Sequence, residues 1–314
     1  MDSLIYSLNA TLPVFLVMAI AWGLQKLGMF TEDFITVVNR FNFRVTLPIL
    51  LFREISEMDF ASLMDPRFML FCFFGTAACM AVIWLFSLWY VKDRCMLGSF
   101  IQSSYRGSAA VLGVAFVQNI YGSAGMVPLM IISCVPLYNV FAVIVLTLYS
   151  NKQVDGRAQM KKALWGIVTN PIILGILAGL PFSIWSLSLP PIVEKTMANF
   201  AAMSTPLALV AIGASFTWSK ALKKAAPTIV SGCIKLVAQP LLLLPVAVAL
   251  GFRGQALVAI LIMLGSPTTP SCYIMAENMG NDSVLASGTI VFTTLFSAVT
   301  ITTFLFVMHS MGLL

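Results

Sequence analysis

Ten apolar stretches of about 20 residues follow one another along this 314-residue chain with only short polar punctuation between them. They run over approximately 4–27, 34–52, 68–91, 97–121, 126–148, 163–184, 192–216, 225–252, 255–279 and 284–308. A helix rises about 1.5 Å per residue, so each stretch is long enough to cross a hydrocarbon core roughly 30 Å thick. Strands of a membrane β-barrel are about ten residues long with strict alternation, and these runs are longer and apolar all round. Composition excludes the water-soluble classes. Residues of the AVILMFWYC set make up 60% of the chain and charged residues 10%, against about 45–50% and about 25% in soluble domains. The chain therefore reads as an integral membrane protein, with no connection long enough for a second folded domain.

The net charge of +6 is explained by topology and needs no nucleic-acid partner. Eleven of the 18 Lys and Arg fall in odd-numbered connections and four in even-numbered ones, while Arg44, Arg106 and Lys235 lie within spans. The positive-inside rule then places the odd connections in the cytoplasm and both termini outside. The first span is no signal peptide, since Asp2 precedes it in place of a basic region and no small-residue cleavage site follows. The six cysteines show no CxxC spacing and read as small core residues.

Two proline landmarks recur. Span 1 carries Pro13-Val-Phe-Leu-Val and span 6 carries Pro171-Ile-Ile-Leu-Gly; span 2 carries Pro48-Ile-Leu-Leu-Phe and span 7 carries Pro206-Leu-Ala-Leu-Val. Both pairs are 158 residues apart, close to half the chain. The spacing predicts a duplication, 1–155 and 156–314. Five spans per half is an odd number, so the halves enter the membrane from opposite sides. Folds of this kind hold substrate near the midplane, where a helix of each half is interrupted. Span 9 carries such an interruption at Gly265-Ser-Pro267-Thr268-Thr269-Pro270-Ser271, where two prolines remove backbone donors and four hydroxyls stand ready to bind released backbone groups. The matching part of span 4, Arg106-Gly107-Ser108-Ala109-Ala110-Val111-Leu112-Gly113, has two glycines and no proline. Helices restarting after each break would turn positive dipole ends toward one point, an arrangement suited to an anion.

Four strings carry a family resemblance: LPILLF (47–52), NPIILGILAG (170–179), PLALVAIGASF (206–216) and PTTPSCYIMAENMGNDSVLAS (267–287). Together, and in order over all ten spans, the chain resembles the auxin efflux carrier family, which includes plant PIN-type auxin exporters and bacterial carriers of malonate and other small carboxylates. The short connection between spans 5 and 6 is similar to that of the bacterial members. The resemblance implies ten transmembrane helices as two inverted five-helix repeats, with helices 4 and 9 broken and crossing. It implies a scaffold and dimer surface from spans 1, 2, 6 and 7, and a mobile transport domain from spans 3–5 and 8–10. Substrate would bind at the crossing and move by an elevator motion. The expected binding residues are Ser108, Ala109, Gly113, Pro267, Thr268, Thr269, Ser271 and Tyr273, with Gly107, Pro267 and Pro270 shaping the breaks. Ser108 and Ser271 stand where the family pattern has asparagine, and Ala115 where it has proline. A hydroxyl offers one donor where an amide offers two, so the resemblance bears on the transport fold more directly than on a carboxylate substrate.

Charges in the bilayer are functional hypotheses by default. Lys235 in span 8 has three readings: a counter-ion for substrate or for the carbonyls of a broken helix, a proton-coupling group, or a side chain snorkelling to the interface. Arg106 lies at the mouth of the span 4 break, where it reads as a group steering anions or as the mark of a cytoplasmic interface, and Asn139 is an amide inside span 5 that reads as an interhelical bond or part of an ion site. No Asp or Glu falls mid-span, which argues against a sodium site built from carboxylates, although proton or sodium coupling both stay open. The only histidine is His309, and HExxH and GxSxG motifs are absent. The expectation is a non-enzymatic secondary carrier of small organic anions, free of cofactors and metals. It would be a homodimer in the cell (inner) membrane; a transporter-fold channel or a ligand sensor is the alternative.

Overall fold

A computed structural model describes residues 2–57, 65–109, 117, 121, 125–150, 165 and 169–314. All regular structure among them is helical: α1 (Asp2–Lys26), α2 (Glu32–Phe41), α3 (Leu47–Ser56), α4 (Pro66–Tyr90), α5 (Arg94–Tyr105), α6 (Val127–Leu148), α7 (Pro171–Ile184), α8 (Pro191–Ser215), α9 (Trp218–Lys223), α10 (Ala225–Cys233), α11 (Gln239–Ala249), α12 (Gly254–Gly265), α13 (Ser271–Asn278) and α14 (Ser283–Ser310). Six continuous rods among the described residues are long and apolar enough to cross a membrane: Glu32–Ser56, Pro66–Tyr90, Val127–Leu148, Pro191–Ser215, Ala225–Ala249 and Ser283–Ser310. Large apolar side chains such as Phe74, Leu85, Trp89 and Ile192 point out of the bundle. That is the surface of an α-helical membrane protein, where the solvent is hydrocarbon.

In apolar rods the polar residues mark the ends. Thr31, Asp65, Asp93, Asn170 and Asp282 each accept a hydrogen bond from the first turn of the following helix, and Pro66 and Pro171 occupy first helical positions. Two rods contain a π-turn that the apolar pattern does not announce, Asn42–Thr46 between α2 and α3 and Ile234–Ala238 between α10 and α11. Each precedes a proline, Pro48 or Pro240, whose ring would press on the carbonyl four residues back. That carbonyl belongs to Arg44 or Leu236, inside the π-turn, and the wider turn gives the ring room.

α3 packs most extensively on α7, and α1 on α8. Helices in lipid gain contact by bringing backbones close through small residues. A Cβ on Gly175 would lie 2.5 Å from the Pro48 carbonyl oxygen, and one on Gly179 would lie 2.7 Å from that of Phe52. A Cβ on Gly213 would overlap the Met18 carbonyl of α1. α4 packs on α5 and α6, α10 and α12 pack on α14, and α11 packs on α12. α1 also lies along α14, and α13 touches α2 and α8. One reading needs correcting: Cys233 is exposed on the outside of its helix, whereas Cys72, Cys134 and Cys272 are buried. All six thiols are free.

Candidate functional site

The rod of span 9 is interrupted between α12 and α13, over residues 266–270, and α5 ends at Tyr105 ahead of extended backbone at Arg106. The two interruptions touch. The Ser108 N–H donates to the Pro267 carbonyl at 2.8 Å. The Thr268 hydroxyl donates to the Ser103 carbonyl at 2.9 Å, and the Thr268 N–H donates to the Thr293 hydroxyl of α14 at 3.0 Å. Only glycine fits beside this junction: a Cβ on Gly107 would overlap the Ser266 hydroxyl and lie 2.9 Å from Lys235 Cε and Nζ.

Helices that stop inside a protein leave carbonyls without intrahelical donors. The α10–α11 rod supplies the donors for both stops. Lys235, set in its π-turn and fully buried, donates to the Leu264 carbonyl at 2.7 Å and to that of Met263 at 3.1 Å, at the end of α12. Gln239 donates to the Ser104 carbonyl at 2.6 Å, at the end of α5, and the Ser104 hydroxyl donates to that of Ser231 at 2.9 Å. Ser231, Lys235 and Gln239 thus form one polar column serving two helix C-termini, whose negative dipole ends favour the ammonium. That ammonium sits inside the protein, behind the junction.

In front of the junction lies a cavity of about 60 Å³. Arg106, Gly107 and Ser108 form its wall on one side, and Thr269 and Ser271 at the start of α13 form another. Asn139 of α6, Asn42 of the first π-turn, and Ser204 and Thr205 of α8 add polar groups. Leu47, Leu50, Leu51 and Glu54 line it from one face of α3, at spacings of three and four residues. Arg106 is 5% exposed, and its guanidinium donates to Asn139 Oδ1 and, at 2.8 Å, to Met275 Sδ. Among the described residues no carboxylate lies within 4.0 Å of it. An unpaired buried cation costs several kcal/mol, and this one opens onto a cavity that a counter-ion can fill. The first turn of α13 carries no side-chain cap, so its positive dipole end also faces that space.

Residues 6–305 match the model of the family described as membrane transport protein, nearly the whole chain. The chain belongs to this family, that of the auxin efflux carriers. It is also similar to an uncharacterized transporter of Methanothermobacter thermautotrophicus, 22% identical over 298 residues, which covers 94% of this chain and 96% of that protein.

Of the residues singled out in the sequence of this auxin efflux carrier family member, Arg106, Gly107, Ser108, Asn139, Thr269 and Ser271 border the cavity. Pro267, Thr268 and Ala109 sit behind it, buried in the junction, and Pro270 turns the chain into α13. Tyr273 also lies off the cavity: its hydroxyl pairs with that of Ser215 at 2.7 Å and accepts from Asn39 Nδ2 at 3.3 Å. Gly113 falls outside the described residues. Sequence reasoning missed Asn42, Glu54, Ser204 and Thr205. Glu54 had a readable signal, since the span 2 rod continues to Ser56 and carries Leu47, Leu50, Leu51 and Glu54 as one stripe. Asn42 had none, because its direction depends on the π-turn. Its side chain donates to the Ser204 carbonyl at 2.8 Å and accepts from the Thr46 and Ser204 hydroxyls.

Proposed function

We propose that the protein is a secondary active carrier of small organic anions across the cell (inner) membrane, with substrate held in the cavity beside the junction. The observation that carries this reading is Arg106, a buried guanidinium that faces the cavity with no carboxylate within 4.0 Å among the described residues. A guanidinium has five N–H donors in a planar fork, and two of them are engaged by Asn139 and Met275. An entering anion takes up the others and neutralises the charge. Moving the loaded site through hydrocarbon then costs less than moving the empty one, which couples movement to occupancy.

The reading includes ten spans in two inverted repeats, with both termini extracytoplasmic. The packing supports a two-fold relation, because contacts recur when the halves are exchanged. α1 on α8 is matched by α7 on α3, α4 on α6 by α10 on α14, and α5 on α14 by α12 on α6. In this reading α1, α2, α3, α7 and α8 form a scaffold through which two copies dimerise, while α4 to α6 and α10 to α14 carry the substrate in an elevator motion. Ser108 and Ser271 bind substrate with Thr269. Lys235 holds the broken helix, and the coupling ion is a proton or sodium. No cofactor enters the cycle.

The test is counterflow of labelled propionate or malonate in proteoliposomes. Saturable exchange is expected, and Arg106→Gln is expected to lower it at least tenfold with the protein still monodisperse. Non-saturable flux would make the protein a channel, and stabilisation by ligand without flux would make it a sensor.

A further inference from the structure

The cavity that holds Arg106 also holds a carboxylate. Glu54, half-buried at the end of the α3 stripe, lines the same space. Neither a hydrogen bond nor an ion pair within 4.0 Å joins it to Arg106. The nearest basic side chain in sequence, Arg53, is taken by Glu57 one turn on. Opposite charges that face one cavity without closing on each other leave both costs of desolvation uncompensated. A simple anion relieves one of these costs and adds repulsion with Glu54.

We propose that the substrate is a small zwitterion, its carboxylate on Arg106 and its ammonium on Glu54. This rests on the reading of the cavity as an anion site and narrows its substrate class. A ligand with both charges compensates both walls, Arg106 beside the end of α5 and Glu54 on α3. The Ser108, Thr269 and Ser271 hydroxyls suit the carboxylate end. They stand beside the uncapped start of α13. Size agrees: about 10–15 Å³ per water by the same measure gives room for roughly four to six non-hydrogen atoms, the size of glycine, alanine or β-alanine.

The experiment is thermal stabilisation of the purified full-length protein by glycine, β-alanine, propionate and malonate, on the wild type, Glu54→Gln and Glu54→Asp. The amino acids are expected to stabilise the wild type at concentrations at least tenfold below propionate. Glu54→Gln should remove that advantage while leaving propionate binding intact or stronger. Glu54→Asp, which draws the carboxylate back by one methylene, should move the preference from glycine toward β-alanine, and it serves if the glutamine variant folds poorly. Stabilisation by propionate or malonate but not by the amino acids overturns the zwitterion and leaves the anion site standing. Stabilisation by none of the four overturns both. An amino-acid preference that survives both Glu54 variants removes Glu54 as the ammonium partner and overturns the proposal.

Discussion

An ammonium group in an apolar interior is stable only where it meets acceptors, and Lys235 meets two, the Met263 and Leu264 carbonyls. Replacing it by methionine keeps the volume and leaves the Leu264 carbonyl without that donor; the Met263 carbonyl keeps the Tyr138 hydroxyl at 3.2 Å. A buried acceptor left unmade costs about 1–3 kcal/mol. Lys235→Met is therefore expected to lower the unfolding midpoint and to reduce transport at least tenfold, because α12 and α13 lose their registration against α5. Substrate affinity should change little, since the ammonium lies behind the cavity. A variant with unchanged midpoint and lost affinity would move Lys235 into the binding site. Arg106 is the converse case, a cation whose free donors open onto the cavity. The two were equally conspicuous in the sequence, as charges inside apolar runs. What separates them is which neighbour each one meets, and that is set by the crossing of distant segments, beyond the reach of local pattern.

Whether a proline bends or breaks a rod depends on what its neighbours can do for the freed carbonyls. Pro136, Pro181, Pro206 and Pro245 all lie inside continuous helices. Pro267 and Pro270 stand three residues apart among hydroxyls, and there the helix stops. That break was legible because composition and cause coincide. The π-turns before Pro48 and Pro240 were not, since relief of a ring clash by a wider turn leaves no mark in an apolar run. The close approach of α7 to α3 is legible in part, as glycines four residues apart at 175 and 179, but their partner helix is not. Its energetics can be tested at Gly175, where a Cβ meets the Pro48 backbone and backbone cannot swing aside. Gly175→Val is expected to destabilise by about 1–3 kcal/mol, the usual cost of overpacking, seen as a lowered midpoint in detergent. Ala178→Val, on the exposed side of the same helix, should leave the midpoint unchanged. Equal midpoints for the two variants would show that the α3–α7 contact is loose.

At the scale of the molecule the question is which contacts the proposed elevator motion would have to break. The helix order and the apolar character of the rods came from the sequence; the way α13 is tied to the rest did not, because Asn39, Ser215 and Tyr273 are far apart in the chain. Tyr273 was expected at the substrate. Its hydroxyl instead bridges α13 to α2 and α8 through Asn39 and Ser215, and Asn278 adds a bond to the Asn39 carbonyl at 3.2 Å. By contrast, the groove between α1 and α14 is apolar, lined by Met18, Trp22, Phe292 and Phe296, and apolar surfaces slide without losing a directional bond. Movement of α13 past α2 and α8 therefore has its main polar resistance at Tyr273. Removing the hydroxyl deletes two bonds of about 0.5–1.5 kcal/mol each, and the state in which they form loses that advantage. Tyr273→Phe is expected to shift the population away from this state by roughly 5- to 150-fold if both bonds exist only there. Hydrogen exchange of the α13 backbone should quicken accordingly, while the affinity for a ligand measured in a cross-linked, immobile protein stays the same. Unaltered exchange with weakened binding would return Tyr273 to the substrate site, and with it the wall of the cavity would have to be redrawn.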